Sequence, residues 1–417
     1  MFNHALKLVW NRRRANALVA IEIAAAFVVT FVLLALALKL WSSYRQPLGF
    51  EYENVWSVQV DQEATGGFAV FTFTDDDFSG TLLDVTAALR ALPRTESVEP
   101  IEMSPFLNYR WNTRFGADAD NVLLTNVNRS TTEGLQNIGV SLVAGRWFTP
   151  ADEGANYRAV LVNRMFAERA FGSVDAAVGR QIGFPDPTVP IDQLPEWQAR
   201  EVQRPARAVG VIEDFRQWGE FQEPQLYAIQ LHEPTDVRGR RFNLFLKVAP
   251  GTDAGFEEDI ISTVESTAPG WTAAVTSWEE LRATRHADTL LPIKASSTVG
   301  VFFIALVVMG LIGVVWQDVV RRTQEIGLRR ALGASAARVQ RQIQLEMLVV
   351  GGFGIVFGSV VALQFPLLEV VDDIDWAASL PAIVLAAVFI VILVALGALY
   401  PSWLASRREP ADALRYE

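Results

Sequence analysis

The stretch RRTQEIGLRRALGAS, residues 321–335, carries four arginines and two glycines in fifteen positions and lies between long runs almost without charge. Working outward from it, four apolar segments emerge at 15–41, 291–316, 343–365 and 380–404. Each exceeds or approaches the ~20 apolar residues that a helix needs to cross hydrocarbon. Between the first and second lies a polar region, 42–290, with the composition of a soluble domain. The distribution, more than the overall 51% of hydrophobic residues in the 417, therefore predicts the fold class. It is an α-helical membrane protein with four transmembrane helices (1+3) and a large α+β extracytoplasmic domain.

The first apolar run is too long for the ~7–15-residue core of a signal peptide. It ends in Lys39 and Trp41, a snorkelling base and an interface aromatic, so it reads as a retained anchor. Arginines and lysines beside the spans set the orientation. Residues 1–14 carry Lys7, Arg12, Arg13 and Arg14; 317–342 carry Arg321, Arg322, Arg329, Arg330, Arg338 and Arg341; 405–417 carry Arg407, Arg408 and Arg415. The short segment 366–379 has Glu369, Asp372, Asp373 and Asp375 and no base. Alternation predicts both termini and 317–342 in the cytoplasm, with 42–290 and 366–379 outside. The three inner segments hold 13 bases and 5 acids, a net of +8, which leaves −19 for the rest of a chain whose total is −11. So acidic an exterior argues against nucleic acid or anionic lipid as its ligand. With no cysteine, disulfides and thiol chemistry are excluded.

Within 42–290, NVWSVQV reads as a strand, DDFSGTLLDVTAALRALP as a helix with Leu82, Val85 and Leu89 on one face, and SVEPIEM as a returning strand. The pattern recurs in RFNLFLKV, TDAGFEEDIISTVESTAP and WTAAVTSW. Two βαβ-like units at the ends of the region imply one discontinuous α+β subdomain, about 50–104 and 236–290. An inserted subdomain, about 105–235, follows from DNVLLTNVN, VSLVAGRWF, RAVLVNRMFAERAFG and RAVGVIEDFR, mostly strands with one clear helix. The proline-rich DPTVPIDQLPEWQAREVQRP reads as a surface loop.

Catalytic motifs do not emerge. A P-loop needs glycines and a lysine to cradle phosphates, and none of Lys7, Lys39, Lys247 and Lys294 follows a glycine. The histidines, His4, His232 and His286, are far apart in sequence and read as ordinary surface residues. Asp75, Asp76 and Asp77 lack the glycine and terminal glutamate of a calcium loop and read as a helix-capping turn. No nucleophile elbow is present, and the NRS at Asn128 is a sequon of the kind that arises by chance. The chain thus reads as a non-catalytic subunit that binds no cofactor or metal. Glu22 and Glu346 are acids at membrane depth, where a functional role and an interfacial pairing with arginine carry equal weight.

The basic segment has an internal pattern that a mere topogenic patch does not need. Glu325 and Arg329 are four apart in the order that favours a helical ion pair. Gly333 fits a helix stop, and Ser335 an N-cap for the helix entering the third span. RRTQEIGLRRALGAS, the following QIQLEMLVVGGFGIVFG and the closing YPSWLASRREPADALRYE resemble the MacB/FtsX-like permeases of ABC transporters. LVAGRWFTPADE, AVLVNRMFAERAFG and VGRQIGF are similar to the MacB-like periplasmic core domain.

The resemblance covers almost the whole chain. It implies that Arg322, Glu325, Ile326, Gly327, Arg329, Arg330, Leu332 and Gly333 belong to a coupling helix that docks on an ABC ATPase subunit in trans, where ATP and magnesium are used. It also implies a second permease chain, identical or related, a periplasmic adaptor as a further partner, and residence in the bacterial inner membrane among its lipids. The expected function is ATP-driven movement of the outer domain that extrudes an amphipathic substrate such as a peptide, antibiotic or lipoprotein. The alternative is an FtsX-type signal transducer that regulates a periplasmic cell-wall enzyme or an antibiotic response. The glycines 351, 352, 354 and 358 either allow close helix packing or are ordinary membrane-helix glycines.

Overall fold

The computed structural model describes residues 13–62, 76–102, 104–107, 111–118, 120–183, 204–231, 241–321, 328, 332–368 and 374–407. The chain divides into two compact units, one made of 1–42 and 290–417, the other of 43–289. The longer helices are α1 (Arg13–Tyr44), α2 (Asp76–Arg90), α3 (Arg164–Phe171), α4 (Gly255–Thr267), α5 (Trp278–Arg321), α6 (Ala336–Ala362) and α7 (Trp376–Arg407).

Among the described residues four helices are long and apolar enough to cross a membrane: Asn16–Tyr44, Trp278–Val314, Ala336–Leu367 and Trp376–Leu404. The second begins before the apolar run at 291, because α5 is one helix of 44 residues that carries Pro292 in its interior. Backbone hydrogen bonds continue a helix regardless of hydropathy, so composition marks the span and not the helix end. In this unit Val19, Ile23, Phe27, Phe31 and Ala35 of α1 pack with Val350 of α6 and with Ala386, Ile390 and Val394 of α7. Two of the four glycines of α6 are contact glycines. A Cβ at Gly354 would lie 2.8 Å from the Ala20 carbonyl oxygen and from Ile23, and one at Gly358 would lie 2.7 Å from Phe27. Gly352 opens onto free space and Gly351 makes ordinary contact with Val394. Close approach therefore explains two glycines and leaves the others as plain membrane-helix residues. Lys39 donates to Asp375 Oδ2 at 3.0 Å, and Asp375 Oδ1 accepts from the Ala378 amide at 2.8 Å, capping the start of α7.

The other unit is built on one ten-stranded sheet. Its strands are β1 (Val55–Gln62), β2 (Thr95–Ile101), β3 (Asn112–Gly116), β4 (Val122–Ser130), β5 (Leu142–Gly145), β6 (Arg158–Asn163), β7 (Ala206–Ile212), β8 (Tyr227–Leu231), β9 (Arg241–Val248) and β10 (Trp271–Ser277). The spatial order is β10-β1-β9-β2-β4-β8-β6-β7-β5, with β3 paired to β4. The two βαβ segments are interleaved. β9 lies between β1 and β2, and β1 lies between β9 and β10, with every pairing in this half antiparallel. This is the split βαβ arrangement. Alternation along the strands explains it: Trp56, Val58 and Val60 of β1 and Leu244, Leu246 and Val248 of β9 share one face with Leu82, Val85 and Leu89 of α2 and Ile260 and Val264 of α4. Val55 and Phe245 point to the opposite face and a second core.

The remaining strands join this half through one register pair, Ile101 with Ser130. Here β4 and β8, and β6 and β7, run parallel. Helix α3 covers them and buries Phe166 and Ala167 against Val160, Val162 and Val211. Asn163 caps α3 by accepting from the Phe166 amide, and Gly172 ends it with a positive φ of 77°. Residues 184–203, with the proline-rich segment, and Asp75, His4 and His232 lie outside the described residues.

Candidate functional site

Of the segment between α5 and α6 the structure describes Leu328 and residues 332–335. Arg322, Glu325, Ile326, Gly327, Arg329 and Arg330 lie outside the described residues. Leu328 is helical, and the Leu332 amide donates to its carbonyl at 3.0 Å, the bond of a helical turn. The two leucines, four apart and thus on one face, are 54% and 81% exposed. Gly333 has a φ of 96°, in the left-handed region that glycine enters without strain. Ser335 then accepts from the Arg338 amide at the start of α6. Helical turn, glycine stop and serine cap are thus all local features that the residue types specify.

The two acids read at membrane depth have different surroundings. Glu346 is buried, and its Oε1 accepts from Gln342 Nε2 at 3.0 Å, one turn earlier on α6. Glu22 Oε2 is buried with no hydrogen-bond partner among the described residues. It faces Gly310 of α5, where a Cβ would come within 3.2 Å.

Residues at the two ends of the second unit meet Arg216 and Glu220 in a polar cluster that no sequence motif marks. Glu220 is 4% exposed. Its Oε1 accepts from Arg282 Nε at 2.5 Å and its Oε2 pairs with His286 Nε2 at 2.7 Å. An ionised carboxylate only accepts, so this histidine nitrogen donates. The Tyr44 ring stacks on Phe221 with centroids 6.0 Å apart, and Phe221 lies 4.9 Å from the His286 ring. Beside it the buried Arg216 donates to the Ser43 carbonyl at 2.6 Å, to Ser43 Oγ at 2.7 Å and to the Gln222 carbonyl at 2.9 Å. In the sequence His286 reads as a surface histidine, because its partners Glu220 and Phe221 stand 66 and 65 positions earlier. Asn128 is likewise 2% exposed inside β4, so its sequon is closed to modification in the folded protein.

Burial by itself raises the Glu220 carboxyl, but the bonds from His286 and Arg282 outweigh it and hold the group below its ordinary value. A depressed folded pKa contributes stability that is present above the ordinary carboxylate range and is lost as pH falls through the folded value. Glu220→Gln is therefore expected to lower the melting temperature of the detergent-solubilised chain at pH 7, by an amount that holds down to about pH 5 and shrinks only in more acidic buffer. A gap that already closes between about pH 7 and pH 5 would sink this assignment.

Residues 17–262 match the MacB-like periplasmic core domain, and residues 297–410 match the FtsX-like permease C-terminal domain. The chain belongs to the MacB/FtsX-like permease family. It is similar to the uncharacterized ABC transporter permease YvrN of Bacillus subtilis, 34% identical over 109 residues, 26% of this chain and 27% of that protein. It is similar also to the macrolide export ATP-binding/permease protein MacB of Hahella chejuensis, 33% identical over 143 residues (33% of this chain, 21% of the relative). With MacB of Hyphomonas neptunium it shares 26% identity over 289 residues, 66% of this chain and 41% of that one. The matched region thus spans about a fifth to two fifths of these relatives' lengths. The periplasmic region of MacB from Actinobacillus actinomycetemcomitans aligns with 58% of this chain and 97% of its own at 12% identity and a TM-score of 0.37. Membership places the apolar helices in a family of membrane-bound ABC transporter permeases with a MacB-like periplasmic domain, whose named curated members include ATP-binding and export proteins.

Proposed function

We propose that this permease couples ATP hydrolysis in a separate ABC ATPase to movement of its outer domain, and so extrudes an amphipathic substrate. The observation that carries the reading is the exposed pair Leu328 and Leu332 on a helical turn, closed by Gly333 and set among arginines between two apolar spans. An apolar face exposed in a turn so rich in charge suits a protein partner: leucines supply the buried contact, and Arg322, Glu325, Arg329 and Arg330 supply register. The positive-inside distribution puts this turn in the cytoplasm, where nucleotide is available. The export named for the MacB relatives supports extrusion as the outcome. A second permease chain and a periplasmic adaptor complete the proposed assembly.

The test is ATPase activity of the reconstituted permease–ATPase complex. Arg329→Glu and Leu332→Asp are expected to reduce permease-stimulated hydrolysis at least tenfold while membrane insertion is retained. Stimulation at the wild-type level in both variants would refute the coupling role.

A further inference from the structure

Helix α2, strand β2 and the turn after β4 enclose a half-open cleft of about 490 Å³ in the outer domain. That volume lies in the range of small-molecule sites. One wall is a single face of α2, with Leu82, Leu83, Thr86, Ala87 and Arg90. The floor is Glu99 and Pro100 of β2, and Thr131, Glu133 and Glu153 form the far side.

The Thr86 and Thr131 hydroxyls of this cleft have their hydrogens turned into the protein. Thr86 Oγ1 donates to the Leu82 carbonyl at 2.7 Å. Thr131 Oγ1 donates to Glu99 Oε2 at 2.5 Å. A hydroxyl has one hydrogen, so each threonine keeps only lone pairs for anything that enters. Glu99 is 7% exposed, and its Oε1 has just two long contacts, from Arg90 Nη2 at 3.3 Å and Asn137 Nδ2 at 3.5 Å. It retains acceptor capacity as well. Arg90, the one base in the lining, donates to the Val98 carbonyl at 2.6 Å and leans on Glu99. Glu133 and Glu153 stand exposed at the rim. Around them the outer unit, 43–289, holds 21 bases and 36 acids, a net of −15.

A concave surface on which Glu99, Thr86 and Thr131 offer lone pairs, with three glutamates against the one arginine and an aliphatic wall of Leu82, Leu83 and Ala87, is complementary to a cationic donor on an apolar stem. An ammonium group has three hydrogens to give and none to accept. We propose that this cleft binds a ligand presenting a primary ammonium on an aliphatic stem, with the ammonium at Glu99, Thr131 and Thr86 and the stem along α2. Burial raises the Glu99 carboxyl despite the bonds from Thr131 and Arg90, so a cation at this place would relieve a charge that the fold holds at a cost. The inference adds a ligand site to the transport reading and rests on it only for the ligand's role as cargo, since binding itself needs no ATPase.

The experiment is fluorescence anisotropy of dansylcadaverine with the full chain in zwitterionic-lipid nanodiscs, empty nanodiscs serving as the blank. N-acetylated dansylcadaverine, with the same stem and no charge, is the paired probe. The amine is expected to bind at least tenfold more tightly than the acetylated probe, the scale of a charge-assisted bond in a sheltered site. Glu99→Gln keeps an acceptor for Thr131 and removes the charge; it is expected to abolish that preference. The exposed pair Glu133→Gln/Glu153→Gln, which leaves the core untouched, is expected to weaken the amine about threefold. Equal binding of both probes, tighter binding of a dansylated carboxylate, or a preference that survives Glu99→Gln would each overturn the proposal. Any of these would leave the ATPase test of the coupling segment unaffected.

Discussion

Gly354→Leu is expected to prevent the membrane unit from packing as it does, whereas Gly352→Leu on the same helix is expected to be nearly neutral. A Cβ at 354 would stand 2.8 Å from the Ala20 carbonyl oxygen and 2.9 Å from Ile23 Cβ, a backbone and a branch point that cannot rotate away. A leucine adds three further carbons into the same space. Overpacking of a fixed core costs about 1–3 kcal/mol, and the obstruction by backbone puts this site at the top of that range. Gly352 has nothing within 4 Å. Thermal unfolding of the two variants in the same detergent separates contact from composition, because both substitutions add the same apolar mass. If the two melt alike, α1 and α6 do not meet through Gly354. Gly358, where a Cβ would lie 2.7 Å from Phe27 Cδ1, meets only side-chain atoms and no backbone, so Gly358→Ala is the milder change.

Asp152→Ala should strongly destabilise the outer domain. The carboxylate is 1% exposed and is held on every side. Arg146 reaches it with two bonds, at 2.6 and 2.7 Å, the Thr149 amide at 2.8 Å and the Tyr157 hydroxyl at 2.9 Å. The Arg146 guanidinium, first among these, holds the Asp152 carboxyl far below its ordinary range, with the Thr149 amide and Tyr157 assisting against burial. Removing one member of such a pair costs about 3 kcal/mol or more, or roughly a hundredfold in the folded population. Arg146 is itself 44% exposed in its side chain, so part of its charge returns to water and the loss stays near the lower bound. The sign of the pH effect follows from the depressed value. The contribution is whole above the ordinary carboxylate range and is lost only as acid reaches the folded pKa. Chemical denaturation of wild type and Asp152→Ala between pH 7 and pH 5 should therefore show a constant difference. A difference that shrinks within that window would contradict the assignment.

Local signals were legible in advance because their causes are local. Ser335 caps α6 through an amide three residues away, Gly333 takes a positive φ that its own lack of a side chain permits, and Leu82, Val85 and Leu89 share a helical face by spacing alone. The apolar spans were legible for the same reason, since hydropathy is a sum over adjacent residues. Even so, the reach of α5 back to Trp278 was not, because a helix continues through polar residues once its backbone is hydrogen-bonded.

What the sequence determined by itself was the class of molecule: four apolar helices, one acidic α+β domain, and a basic, patterned turn that resembles a coupling segment. Only the tertiary structure decided that β9 lies between β1 and β2, that Arg216 meets Ser43 across 173 positions, that Glu220 gathers Arg282 and His286, and that Glu99 floors a cleft. Periodicity states which face of an element is buried but not what it is buried against. Partners so far apart in the chain are selected by the packing of whole elements, an energy to which no single stretch of residues holds the information.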